Sequence, residues 1–191
     1  CNDNNAAIHP GAAEVCDGID NNCNNQIDEV YTNLQALIDP DGIPGNGDDY
    51  TLFVNNTNLP ANWGQRLITN ATDDWDGASN TDKVVAVNGD SYNGFYAAKI
   101  CANLAAATGC DWYLPAKGEL NAIYQQLGPT NNGYNGSGVI PARLHWSSTE
   151  FDADDYLEPY ITYAWRQRFS DGSQVPGFKV DGISYCLCVR R

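Results

Sequence analysis

The 191-residue sequence has no Met and only two His, His9 and His145. Any Ser/His/Asp set, Cys/His pair or zinc-hydrolase site would have to use one of these two, and neither sits in a catalytic motif. GxSxG, HExxH, the P-loop and the dinucleotide fingerprint are all missing. No run approaches the ~18 apolar residues of a membrane-spanning helix. Residues 1–50 lack cations altogether, holding ten acids and no Lys or Arg, whereas residues 51–191 hold fourteen acids against ten bases. Most of the net charge of −14 therefore lies in the first 50 residues. Such a field repels nucleic acid and anionic lipid and draws divalent cations. These absences point away from an enzyme.

What the chain does contain suits one ordinary domain and a small appendage. Hydrophobic residues make up 42%, with five Trp and eleven Tyr. The seven Cys form no zinc-type CxxC pairs, which indicates an oxidising compartment and an extracellular or bacterial cell-surface location. A start at Cys1 without Met leads to the expectation of a processed chain, its leader removed. A chain starting with Cys is also what lipoprotein processing leaves. A lipid on Cys1 is the one membrane link expected.

The clearest local signals run from Gly94 to Leu127. Ala97, Cys101, Leu104 and Ala105 share a helical face, and Gly109 stands where a C-terminal cap belongs. Trp112–Pro115 reads as a short strand, and Pro115 opens a second helix. Leu120, Ile123, Tyr124 and Leu127 form the apolar stripe of that helix, which Gly128-Pro129 stops. Short strands are expected at 51–54, 66–69 and 83–87, and further ones at HWSSTE, at YITYAWRQRF and at the C-terminus, with a hairpin turn at Asp171-Gly172. Val30–Ile38 reads as one or two helical turns. Together these predict an α+β domain of two helices and short antiparallel strands over 50–191, preceded by a small irregular module at 1–30 and a linker at 31–49.

The N-terminal 30 residues are dense in Asp and Asn. Asp20, Asn22, Asn24, Gln26 and Asp28 place an oxygen donor at every second position, the spacing of a calcium loop, with Gln26 offering its backbone carbonyl and Ile27 packing inward. Asn25 stands where such loops carry Gly and still tolerates a left-handed backbone. Tyr31 replaces the usual bidentate Glu, so Glu29, Glu14 or Asp3 must close the shell; Asn5 and Asp17 complete the donor set. Asp39, Asp41, Asn46, Asp48 and Asp49 form a second candidate for a cation, although turn chemistry accounts for the Asp-Gly and Asn-Gly pairs equally well. Ca²⁺ is the expected cofactor.

Cys186 and Cys188 face one side of the last strand, within reach of Cys101 and Cys110. Three connectivities are open; Cys101–Cys188 with Cys110–Cys186 is the expected one. Cys1 is expected to pair with Cys16 or Cys23, leaving the other as a linking thiol. Trp63 and Trp75, on Asn/Asp-rich loops, are the Trp most suited to a ligand.

Two family resemblances follow from these stretches. CNDNNAAIHPGAAEVCDGIDNNC and QIDE resemble the MopE-type metal-binding repeat, which implies a small non-catalytic calcium module. DWYLPAKGEL, WSSTE, Ala164-Trp165, Phe169-x-x-Gly172 and CLCVR resemble the Lcl C-terminal domain family of collagen-like surface adhesins. That resemblance implies a C-type-lectin-like fold related to formylglycine-generating enzymes. The sugar-binding motifs of C-type lectins are absent, Glu158-Pro159-Tyr160 falling short. The function expected is a secreted, calcium-stabilised adhesion module for extracellular glycan or protein. The alternative is a structural subunit binding copies of itself in a filament or sheath held by calcium and disulfides.

Overall fold

Ser184–Arg190 buries four successive residues, Cys186, Leu187, Cys188 and Val189, each at 0% exposure. A strand buried on both faces must lie inside a sheet that is covered on both sides. The computed structural model, which describes residues 2, 4–17, 19–25, 28, 34–130, 136–151 and 163–191 without the side chains of residues 56 and 57, shows this arrangement. In chain order come β1 (Gln35–Ile38), β2 (Tyr50–Ala61), α1 (Gly77–Asn88), a 3₁₀ turn (Ser91–Gly94), α2 (Ala97–Thr108) and α3 (Lys117–Leu127). β3 (Leu144–Glu150), β4 (Tyr163–Arg168), β5 (Gln174–Phe178) and β6 (Ser184–Arg190) follow. The six strands form one mixed sheet in the order β1-β2-β6-β3-β4-β5, with β3 and β6 parallel and the other pairs antiparallel.

Two apolar clusters lie on opposite faces of β6. Cys186 and Cys188 join Trp63, Tyr96, Cys101, Trp112 and Trp146 under α1 and α2. Leu187 and Val189 join Ile38, Leu52, Val54, Ile123, Tyr124 and Phe169 under α3. The fold class is thus α+β, as the pattern of elements implied. α2 ends at Gly109 (φ 75°), whose N–H reaches Ala105 O. The stripe of Leu120, Ile123, Tyr124 and Leu127 is buried. Pro115 stands just ahead of the N-cap, Ala116, whose N–H is accepted by Glu119 Oε2 at 2.8 Å.

Several local readings are corrected. Residues 83–87 lie in a third helix, α1, instead of a strand: Asp76 caps it through Ser79 N at 3.0 Å, and tertiary packing overrides the weak preference of its valines for strand. Gly77 makes the close approach possible, since a Cβ there would lie 2.5 Å from Glu119 Oε2. Residues 66–69 form no strand, because Thr69 N and Asn70 N donate to the Glu150 carboxylate. Trp112–Pro115 makes a single bridge, Tyr113 to Val189.

Residues 35–38 are strand β1, so the sheet begins inside the stretch read as helical turns and linker. β1 can be an edge because Gln126 on α3 serves both outward groups of Leu37, accepting from its N at 2.9 Å and donating to its O at 2.7 Å. Glu119 ties the layers together, accepting from Tyr50 OH at 2.8 Å, Tyr113 OH at 3.0 Å and Arg191 at 3.4 Å. Burial pushes its carboxyl above the ordinary range, and these donors oppose the shift.

Candidate metal centre

The acid-rich N-terminal segment has almost no core of its own, Ile8 being its one buried large hydrophobic residue among those described. Its backbone is ordered around carboxylates. Asp20 accepts from Asn24 N at 3.1 Å and Asn25 N at 2.7 Å, closing the loop on its first donor. Asn25 takes the left-handed conformation that its place in the spacing required (φ 69°), as do Cys23 and Asp28. Glu14, only 8% exposed, reaches the loop from outside: Oε1 accepts from Asn22 N at 2.6 Å and Oε2 from Asp28 N at 3.2 Å. Asp28 Oδ1 accepts from Asp17 N at 3.2 Å, and Asp17 Oδ2 accepts from Asn21 Nδ2 at 3.3 Å. Glu14, Asp17, Asp20 and Asp28 are thereby tied into one hydrogen-bonded loop with Asn22 and Asn24. Asn5 Oδ1 accepts from Ala7 N at 3.0 Å. Asp3, Gln26 and Glu29 lie outside the described residues.

Links among the described residues tie this loop to the rest of the fold. Cys16 is bonded to Cys110, and Arg190 on β6 donates to Asp28 O at 2.7 Å. Cys101–Cys188 joins α2 to β6, as expected. The expected Cys110–Cys186 bond is not formed. α2 starts beside Asn62 and runs in the same sense as β6, so Cys110 lies beyond Cys188 instead of back at Cys186. Cys186 is a buried free thiol whose pKa burial pushes up to about 12. Cys23 is disulfide-bonded, so neither Cys16 nor Cys23 is the linking thiol expected for assembly. Cys1 lies outside the described residues.

The second acidic loop, which joins β1 to β2, brings Asp39, Asp48 and Asp49 together, their ligand atoms within 4.8 Å of one another. Asp41 turns away to Ile43 N and Asn46 Nδ2. Trp63, a ligand candidate by sequence, is fully buried and donates to Ser147 O at 2.8 Å, so it belongs to the core; Trp75 is half-buried. Sequence reasoning missed a groove between α1 and α2 of about 470 Å³, lined by Thr81, Asp82, Asp111, Trp112 and Tyr113 among others. It adjoins Cys110 and hence the N-terminal loop. No motif marks it, because its walls come from three separate segments.

Among the described residues, no helix is long and apolar enough to cross a membrane. No curated protein and no solved structure matches the chain. Residues 1–29 match the family model Cu-binding MopE, described as a putative metal-binding motif.

Proposed function

We propose that this is a secreted, non-enzymatic binding module of the cell surface whose N-terminal segment is ordered by Ca²⁺. The reading rests above all on the loop from Glu14 to Asp28, where carboxylates and amides supply only hard oxygens. Copper favours imidazole and thiolate. The segment offers one imidazole, His9, and its described cysteines Cys16 and Cys23 are in disulfides. Calcium takes six to eight oxygens in irregular geometry, which an Asn/Asp loop suits. The disulfides and the acidic field fit an extracellular setting. Residues 50–191 would form the C-type-lectin-like part of the sheet domain, to which β1 adds an edge strand, a reading supported by the motifs in DWYLPAKGEL and WSSTE.

Two described features favour binding over catalysis. His145 is fully buried, bonded to Asn58 Oδ1 at 2.7 Å and packed on Phe169, and burial holds its pKa down to about 3. The free thiol of Cys186 is equally inaccessible. The groove beside Cys110 offers room for a side chain of a partner, and its Asp82 and Asp111 favour a cationic group. Burial of Cys186 also argues against a disulfide-linked filament. Negative-stain microscopy with and without chelator tests this choice. Monomers in both conditions are the expected result; ordered polymers that dissolve on chelation would replace the binding module with a structural subunit.

A further inference from the structure

We propose that Lys179 and Glu150 react with one another in the folded chain to form an intramolecular amide, a covalent staple between β3 and the end of the edge strand β5. Glu150 closes β3, and Glu150, Ala164 and Gly177 form one rung across β3, β4 and β5. Lys179 follows Gly177 by two residues, and its carbonyl accepts from Trp63 N at 2.8 Å and Gly64 N at 3.2 Å. Glu150 N donates in turn to Ala71 O at 2.6 Å. Between these fixed backbones the Lys179 amine touches the Glu150 carboxylate, and both side chains are at most 2% exposed. Nucleophile and electrophile are thus held together without a diffusive encounter.

Two features separate this pair from a surface ion pair. The first is the setting of the amine. Nζ lies 4.7 Å from the centroid of the buried Trp63 ring and donates to Leu67 O at 2.7 Å. Burial lowers the lysine pKa, which favours the neutral amine, the form that attacks. The second is the carboxylate. Oε1 faces Lys179, whereas Oε2 accepts from Asn70 N at 2.9 Å and from both Thr69 N and Thr69 Oγ1 at 3.0 Å. Three donors aimed at one carboxylate oxygen make an oxyanion hole.

The reaction needs nothing beyond the two side chains. Proton transfer from Nζ to Oε1 turns the ion pair into a neutral amine and a carboxylic acid. Nζ then attacks Cδ, the new N–C bond forms, and negative charge moves to Oε2, where the three donors hold it. Oε1 takes a second proton from the nitrogen, the Cδ–Oε1 bond breaks, and water departs. The product replaces two buried charges by one neutral amide and so removes the desolvation cost of the pair. The position gives the staple a task. It closes β4 and β5 into a covalent loop with a sequence separation of 29, so tension cannot peel the sheet edge from β3. The staple is independent of any cation at the N-terminal loop.

Mass spectrometry of the full chain, held folded at pH 7 and then denatured and fully reduced, tests the staple. Wild type is expected to be lighter than its sequence by one water, and Lys179→Arg to show its full mass. An Asp-Gly succinimide loses the same water, so tryptic mapping decides the position. One branched species should join the peptide of Glu150 to that of Lys179, with no cleavage after Lys179. Thr69→Val keeps both reactants but removes one donor to Oε2. In freshly translated chain it should slow the appearance of the branched species by about 100-fold. Wild type of full mass that trypsin cleaves after Lys179, or a lost water that maps elsewhere, would overturn the staple.

Discussion

The loop from Glu14 to Asp28 and the sheet domain order their backbones by opposite means. In the loop, backbone N–H groups converge on the carboxylates of Glu14, Asp17, Asp20 and Asp28, and among its described residues almost nothing apolar is buried; Ile27 lies outside them. In the domain, β6 is sealed between two apolar clusters and its polar groups are spent on sheet partners. Apolar burial stabilises at about 25 cal/mol per Å² whatever ions are present. A carboxylate-centred loop instead repels itself until a cation arrives. On the proposed function, one region of the chain has a stability of its own and the other gains stability from a bound cation.

The largest test of that division is at Cys101–Cys188, which spans 87 residues of sequence. Cys101→Ala/Cys188→Ala should lower the unfolding free energy by about 4–5 kcal/mol on the chain-entropy model, read from urea denaturation. Cys16→Ala/Cys110→Ala spans a similar separation but tethers a segment with little core. It should expose residues 4–28 to protease while the urea midpoint of the sheet moves far less. Equal midpoint losses would merge the two regions into one cooperative unit.

Next comes the buried pair of Lys179 and Glu150. Lys179 Nζ donates to Glu150 Oε1 and to Leu67 O at 2.7 Å, and both side chains are at most 2% exposed. Burial lowers the lysine pKa and Glu150 opposes the shift. Lys179→Met leaves the buried Glu150 carboxylate without its counter-charge, held only by Thr69 and Asn70, and should cost about 3 kcal/mol. A loss below about 1 kcal/mol would mean that water reaches the pair.

A smaller effect should appear with acid. His145 is neutral in the fold, its pKa depressed to about 3 from a usual 6.5. The unfolded chain takes up the proton first, so this contribution is complete above about pH 6.5 and is lost as pH falls toward 3. Between pH 7 and 4.5 it should amount to about 2–3 kcal/mol. Arg143 is the charged neighbour that adds to the depression. His145→Gln should flatten that segment of the stability profile; an unchanged slope would assign it to other groups.

The smallest effect belongs to the loop itself. Glu14→Ala removes the acceptor of Asn22 N and Asp28 N and should cost about 1–3 kcal/mol locally. Hydrogen exchange at Asn22 and Asp28 should speed up with no change in the melting of the sheet.

Elements on which several local signals agree are legible in the amino-acid sequence itself. α2 carries its Gly109 cap and α3 its four-residue stripe, and both form as expected. The left-handed Asn25 is legible for the same reason: one position in a spacing demands one backbone conformation. α1 reads as a strand because Val84, Val85 and Val87 favour strands in isolation, and only contact with α2 and β3 makes them helical. The partner of Cys110 is hidden because the direction of α2 relative to β6 depends on the pairing of β2 with β6, a contact between residues over 120 apart. Trp63 reads as a ligand platform because its neighbours are Asn and Gly, yet Lys179 O accepts its backbone N–H and draws it into the core. Local chemistry is legible; the long-range partners that overrule it are not.

Limited proteolysis of the oxidised full chain, with near-UV circular dichroism of the sheet recorded in parallel, tests the central claim most directly. At free Ca²⁺ of 100 times its dissociation constant, linkage stabilises the N-terminal loop by about 2.7 kcal/mol. Chelation should therefore speed cleavage within residues 4–28 by roughly 100-fold while the near-UV signal of the core persists, and Asp20→Ala should abolish the difference. Cleavage at the same rate with calcium and with chelator would contradict a metal-ordered N-terminal segment.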